Sequence, residues 1–127
     1  MEPIKQEWKI YDRSTAVKRF EVRTGYVDEQ NPGAPVDLRP YLIKMQGRIS
    51  PTSASTFFDL EKPAGETGSS GLYVTGEDNN ELVIELSSEM TESFRGRNII
   101  SDLQLSLDST IKYWIRYYII NTAGVTR

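Results

Sequence analysis

With 127 residues, the chain has room for one domain. It contains no cysteine and no histidine, which removes disulfides, thiolate metal sites, cysteine nucleophiles and the usual imidazole base. Its 15 basic and 18 acidic residues leave a net charge of −3, a poor basis for broad nucleic-acid or anionic-membrane binding.

The opening stretch MEPIKQEWKIY lacks the apolar region of a signal peptide, and no run is long enough to cross a bilayer. Synthesis in the cytoplasm of the producing cell is therefore predicted. Within this stretch Ile4, Gln6, Trp8 and Ile10 alternate with Lys5, Glu7, Lys9 and Tyr11, the period of a half-buried strand. Two readings of Trp8 stand. It belongs to the core, or it lies on an N-terminal arm (1–14) that adds to a neighbour's sheet edge. After the polar break at Asp12 to Thr15, AVKRFEVR places Phe20 and Val22 opposite Arg19, Glu21 and Arg23. The sequence Asn31-Pro32-Gly33 then signals a turn.

Pro35 and Pro40 cannot donate to a sheet ladder, so they belong outside strand interiors. Between them, Val36-Asp37-Leu38 reads as an extended crossover from one sheet to the next, with Leu38 dropped into the core. A strand follows, with Ile43, Met45 and Ile49 inward and Lys44, Gln46 and Arg48 outward. Gly47 marks either a bulge or a close backbone approach. TFFDL and LYVTG read as short strands, separated by the Gly/Ser/Pro-rich surface loop EKPAGETGSSG. ELVIEL turns Leu82, Ile84 and Leu86 inward. Ser87 or Ser88 then caps a helix of about two turns, with Met90 and Phe94 on one face as a plug at one end of the fold. NIISDLQLSL alternates through Ile99, Ser101, Leu103, Leu105 and Leu107, and DST forms a tight turn.

The last strand, IKYWIRYYII, is apolar on both faces. Ile111, Tyr113, Ile115, Tyr117 and Ile119 form one side, and Lys112, Trp114, Arg116, Tyr118 and Ile120 the other. An antiparallel strand covered on one side only alternates more cleanly than this. Its outer side is therefore covered, either by a loop or the helix, or by another subunit. Candidate interface residues are Trp8, Trp114, Arg116 and Tyr118.

No catalytic, cofactor-binding or metal residue is assigned. GEDNNE is rich in oxygen ligands but lacks the spacing of an EF-hand, and a plain hairpin turn explains it. Glu61, Glu66, Glu77 and Asp78 have the chemistry of glycosidase acids, yet no spacing brings them together. The serines of PTSASTF have no accompanying base. TGSSG lacks the Lys-Ser/Thr ending of a phosphate loop. Arg95 and Arg97 suit either an anion or a solvated turn.

The segment PVDLRPYLIKMQGR, through Pro35, Val36, Asp37, Leu38, Tyr41, Met45 and Arg48, resembles a short Asp-Leu crossover and strand in small tailed-bacteriophage structural proteins. FFDL and GLYVTGEDNNELVIELSSEMTESF are similar to that family's following strands and helical turn. ISDLQLSLDSTIKYWIRYYIINTAGVTR resembles its last hairpin, through Asp102-Leu103, Leu105 and Val125-Thr126-Arg127. The N-terminal domains of some phage baseplate proteins are similar too. The resemblance spans roughly residues 15–127. Arg39-Pro40 stands where the pattern has Thr-Gly, and the last turn has no glycine.

The expected fold is all-β, an immunoglobulin-like antiparallel β-sandwich of about seven to nine strands with one short helix near residues 87–95. It forms a single domain (1–127) with a C-terminal tail at 121–127. The resemblance implies a non-enzymatic virion protein of the tail, neck or baseplate, made in the host cytoplasm. Its implied partners are other virion proteins and copies of itself in a ring-like homo-oligomer, with no nucleic acid, membrane or cofactor. The alternative is a carbohydrate-binding or adhesion module, with Tyr113, Trp114, Tyr117 and Tyr118 as an aromatic platform.

Overall fold

The computed structural model describes residues 2–24, 33–50, 52–53, 55–69 and 71–122. Among them are nine strands and one helix. In chain order these are β1 (Ile4–Tyr11), β2 (Ala16–Glu21), β3 (Leu42–Arg48), β4 (Phe58–Lys62), β5 (Gly68–Ser69), β6 (Leu72–Thr75), β7 (Glu81–Leu86), α1 (Ser88–Ser93), β8 (Ile99–Leu107) and β9 (Thr110–Thr122). One sheet has the order β1-β9-β8-β3-β4, the other β2-β7-β6-β5. Every strand pair is antiparallel except β1–β9, which is parallel. With β3, β8 and β9 central to one sheet and β2, β7 and β6 in the other, this is an immunoglobulin-like sandwich whose first strand has joined the last.

The two-residue period decides what faces inward. Ile43 and Met45 of β3, Leu103 and Leu105 of β8, and Tyr117 and Ile119 of β9 are buried from one sheet. Leu72, Leu82, Ile84 and Leu86 meet them from the other. Each such side chain contributes about 1.5–3 kcal/mol on burial. Tyr117 is covered so fully that burial pushes its hydroxyl up to about 12. Ser101 takes an inward position in β8 and donates to the Gln46 carbonyl at 2.8 Å, which satisfies its hydroxyl inside the sheet.

The crossover between the sheets is held by polar contacts. The Val36 N–H donates to the Val22 carbonyl at 3.0 Å and the Leu38 N–H to the Asn79 carbonyl at 2.8 Å, with Leu38 fully buried. The Asp37 carboxylate accepts the Arg39 backbone N–H at 3.0 Å and the Arg39 guanidinium at 2.6 Å. Those hydrogen bonds hold the carboxyl at about 2. Lys62 then ties the crossover to the next loop. Its buried ammonium donates to the carbonyls of Glu66 (2.7 Å), Arg39 (2.9 Å) and Pro63 (3.0 Å). Three donors meet three acceptors, so the charge sits inside without an unpaired proton. Burial still lowers its affinity for that proton, while Glu66 and Asp37 oppose the shift.

At one end of the sandwich the Ser87 hydroxyl accepts from the Met90 N–H at 3.2 Å and caps α1. Thr91 donates to the Ser14 carbonyl at 2.9 Å, which pins the helix to the β1–β2 turn. Just past the helix, Phe94 is fully buried, with ring centroids 5.7 Å from Phe57 and 6.0 Å from Phe58. At the other end Asp108 (φ 51°) and Ser109 (φ 65°) form the two-residue β8–β9 turn. Both occupy the left-handed region that such a turn requires and that Gly or Asn fills more readily.

Several expectations change. Ile49 lies past the end of β3 and is exposed, because the strand stops at Arg48 and the chain turns away from the core. Glu61 and Lys62 belong to β4, and Gly68–Ser69 pairs with β6 as β5, so the glycine-rich loop contains strand at both ends. Asn121 and Thr122 extend β9 rather than begin a tail. Asn31 and Pro32 of the predicted turn, and Val125-Thr126-Arg127, lie outside the described residues.

Gly47 is a close approach. A Cβ there would sit 2.2 Å from the Phe58 ring, and Phe94 packs against that ring. Gly47→Ala is expected to lower unfolding free energy by about 2 kcal/mol through overpacking. Urea denaturation checks this, and an unchanged midpoint would contradict the packing.

Candidate interaction face

From Trp114 onward the strand period sends the even-numbered residues of β9 to the outer surface of the five-stranded sheet, while the register shift at Leu105/Ser106 sets Ile111, expected inward, beside Ser106 and leaves it exposed. Register then sets their neighbours. Glu7, Tyr118, Ile100 and Arg48 form one row across β1, β9, β8 and β3. Lys5, Arg116, Asp102, Gln46 and Asp59 form the next. Trp114, Gln104, Lys44 and Glu61 form a third. The sheet therefore carries polar rows between large half-buried side chains, since Trp114, Tyr118, Ile100 and Ile120 are all partly covered.

The centre of this face is ordered by charge. Arg116 Nε lies 2.7 Å from Asp102 Oδ1, and its second nitrogen 3.1 Å from Oδ2. That fork is the geometry in which arginine binds carboxylate most specifically. Asp102 raises the already high guanidinium value, burial opposes this, and Tyr118 adds a smaller upward push. The same guanidinium stacks over the Trp114 ring at 5.7 Å. Gln46 donates to Asp59 at 3.1 Å, Arg48 donates to Gln46 at 2.8 Å and to the Ser53 carbonyl, and Lys44 pairs with Glu61 at 3.4 Å. Lys44, Gln46, Arg48, Asp102 and Gln104 line a depression of about 500 Å³ beside the tryptophan. The Trp114 indole N–H is covered and has no acceptor among the described residues. A buried donor left unpaired costs about 1–3 kcal/mol.

Three of the four candidate interface residues, Trp114, Arg116 and Tyr118, therefore share one surface. Trp8 does not. It is buried at 6% exposure, stands opposite Ile119 in the parallel pair, and packs edge-on to Tyr117 at 5.8 Å. Trp8 belongs to the chain's own core, because β1 docks on β9 and turns Trp8 and Ile10 inward. The aromatic platform is divided in the same way. Tyr113 and Tyr117 point inward with Tyr41 and Trp8, while Trp114 and Tyr118 point outward.

The other candidate groups are dispersed. Glu77 and Asp78 sit in the β6–β7 turn, where the Asn79 N–H donates to the Gly76 carbonyl at 3.2 Å. Glu61 lies on the opposite sheet. Arg97 covers the Phe57 ring at 5.0 Å and donates to the Phe94 carbonyl, so it closes the helix end. Arg95 lines a depression of about 420 Å³ with Asp12, Arg13 and Glu92, a mixture of both charge signs. Among the described residues no group of three or more acidic side chains converges as a metal site would require.

Sequence reasoning missed the polar residues that organise the face, Asp102, Gln46 and Lys44. Their signal was the strand register, which pairs Asp102 with Arg116 only once β8 and β9 are aligned.

No protein-family model matches the chain, and no curated protein matches it. Among solved structures, it is similar to the NK cell receptor Nkp44, described as a triggering partner in natural cytotoxicity. Identity is 9%, with a TM-score of 0.47, over 96% of this chain and 100% of that one. The sandwich assignment rests on the sheet order and not on this likeness.

The Asp102–Arg116 pair is expected to couple by about 1 kcal/mol in a double-mutant cycle of Asp102→Ala and Arg116→Ala, read by urea denaturation. Strictly additive single effects would contradict the ordered fork.

Proposed function

We propose that this protein is a non-enzymatic structural subunit of a bacteriophage virion, an assembly or adaptor component of the tail, neck or baseplate. The observation that carries the reading is the outer face of the five-stranded sheet. Trp114 and Tyr118 flank the Arg116–Asp102 fork there, with Ile100 and Ile120 beside them. Aromatics and arginine are the residue types enriched where proteins bury surface against each other.

The resemblance of roughly residues 15–127 to phage structural proteins, carried by 35–48, 57–60, 71–94 and 100–127, supplies the virion setting. The parts of that segment have structural work: Asp37 and Leu38 route the chain between sheets, and Ser87 caps the helix. Contact with copies of the chain and with other virion proteins is the mechanism. Repeated heterologous contacts of this kind close into rings, and an interface of about 800 Å² per partner suffices for a specific one.

The alternative, a saccharide-binding module, is supported by Trp114, which stands opposite Gln104 at the rim of a polar depression, with Tyr118 on the same face. Quantitative mass spectrometry of purified particles of the encoding phage separates the two. A fixed copy number per particle is expected, and Trp114→Ala with Tyr118→Ala is expected to cut incorporation at least about tenfold. Absence from particles, together with a saccharide-dependent change in tryptophan fluorescence, would overturn the assembly reading.

A further inference from the structure

The outer edge of β1 points to a second contact, distinct from the sheet face. β1 is eight residues long and closes one side of the five-stranded sheet, and no described strand lies beyond it. The N–H of Asp12 donates to the Thr122 carbonyl of β9 at 2.8 Å. Backbone groups of alternate residues point to opposite edges of a strand. Ile4, Gln6, Trp8 and Ile10 therefore bond to β9. Lys5, Glu7, Lys9 and Tyr11 turn their N–H and C=O groups to the open edge.

An edge of this length is a template for another strand unless charge, proline or a bulge blocks it. β1 has no internal proline, and its pairing with β9 runs from Ile4 to Tyr11 without a register shift. Its charges alternate Lys5, Glu7, Lys9, and none of the three has an ion-pair partner among the described residues. Such a row complements itself when reversed and offset.

We infer that two copies of this chain join β1 to β1 in antiparallel fashion about a two-fold axis at Trp8, extending the two five-stranded sheets into one. In that register Glu7 faces Lys9 twice and Lys5 faces Tyr11 twice, and all four edge residues exchange backbone hydrogen bonds. Moving the axis to Glu7 opposes Lys5 to Lys9 and Glu7 to itself, which is repulsive at each point. Moving it to Gln6 sets Pro3, which has no N–H, against Lys9. The far edge of the sheet, β4, is a poorer partner, because Gln46 and Lys44 already hold its outward carboxylates, Asp59 and Glu61. The contact uses an edge and leaves the Trp114 face free, so it does not rest on the virion reading.

Sedimentation velocity of the full chain over a concentration series tests it. A monomer–dimer equilibrium is expected. Glu7→Lys alone and Lys9→Glu alone are each expected to raise the dissociation constant about tenfold or more, since each places like charges opposite at two points. The double variant with both changes restores Lys opposite Glu and is expected to return to within about threefold of the parent. Lys9→Pro removes an N–H that points only to the open edge, so it is expected to give a monomer with an unchanged circular dichroism spectrum. A parent chain that stays monomeric at about 100 μM overturns the inference. So does a double variant as dissociated as its single parents.

Discussion

Side chains alternate along a β-strand with a period of two, and in β9 that rule divides one aromatic run between two environments. Ile115, Tyr117 and Ile119 fall inside and complete the core. Trp114, Arg116 and Tyr118 fall outside, on a sheet surface that no hydrophobic layer requires. A slip of one residue would exchange the sets and strand a guanidinium among aliphatic side chains. The register is therefore strongly specified. Asp102 reinforces it from β8, since it meets Arg116 only when Leu103 meets Ile115. Core and outer face are two sides of the same alignment.

Chain routing makes that alignment possible. The chain reaches β3 only after crossing from the smaller sheet, and the crossing leaves backbone groups that need partners. Asn79 and Val22 supply carbonyls to it, Asp37 folds back on Arg39, and Lys62 collects three further carbonyls. A buried ammonium is costly unless it is fully hydrogen-bonded, and here it is. The sandwich has no disulfide between its layers; the buried core of both sheets holds them together, and this polar knot and the aromatic plug of Phe57, Phe58 and Phe94 add to it.

Much of this was legible in the sequence because it is local. Period-two runs identified the inward residues of β3, β7 and β8, the serine before an acidic turn marked the helix cap, and the paired prolines marked the crossover that buries Leu38. Non-local features were hidden. Nothing in IKQEWKIY says that it will lie parallel to the last strand, which decides that Trp8 packs on Tyr117 inside the same chain. Lys62 reads as a loop residue, and only the converging carbonyls show why it is buried. Val83 points outward and is still covered, between Arg19 and Tyr73 of the adjacent strands. The candidate face was half legible: its aromatics stood out, while the acidic and amide groups that order them became visible only through cross-strand register.

The central claim is that neighbouring molecules cover the outer face of the five-stranded sheet. Hydroxyl-radical footprinting with mass spectrometry reads it directly, by comparing side-chain oxidation in the isolated chain and in the assembled particle. Oxidation of Trp114 and Tyr118 is expected to fall severalfold on assembly, while Tyr73, exposed on the opposite sheet, stays unchanged. Equal oxidation of Trp114 and Tyr118 in the two states would contradict the account.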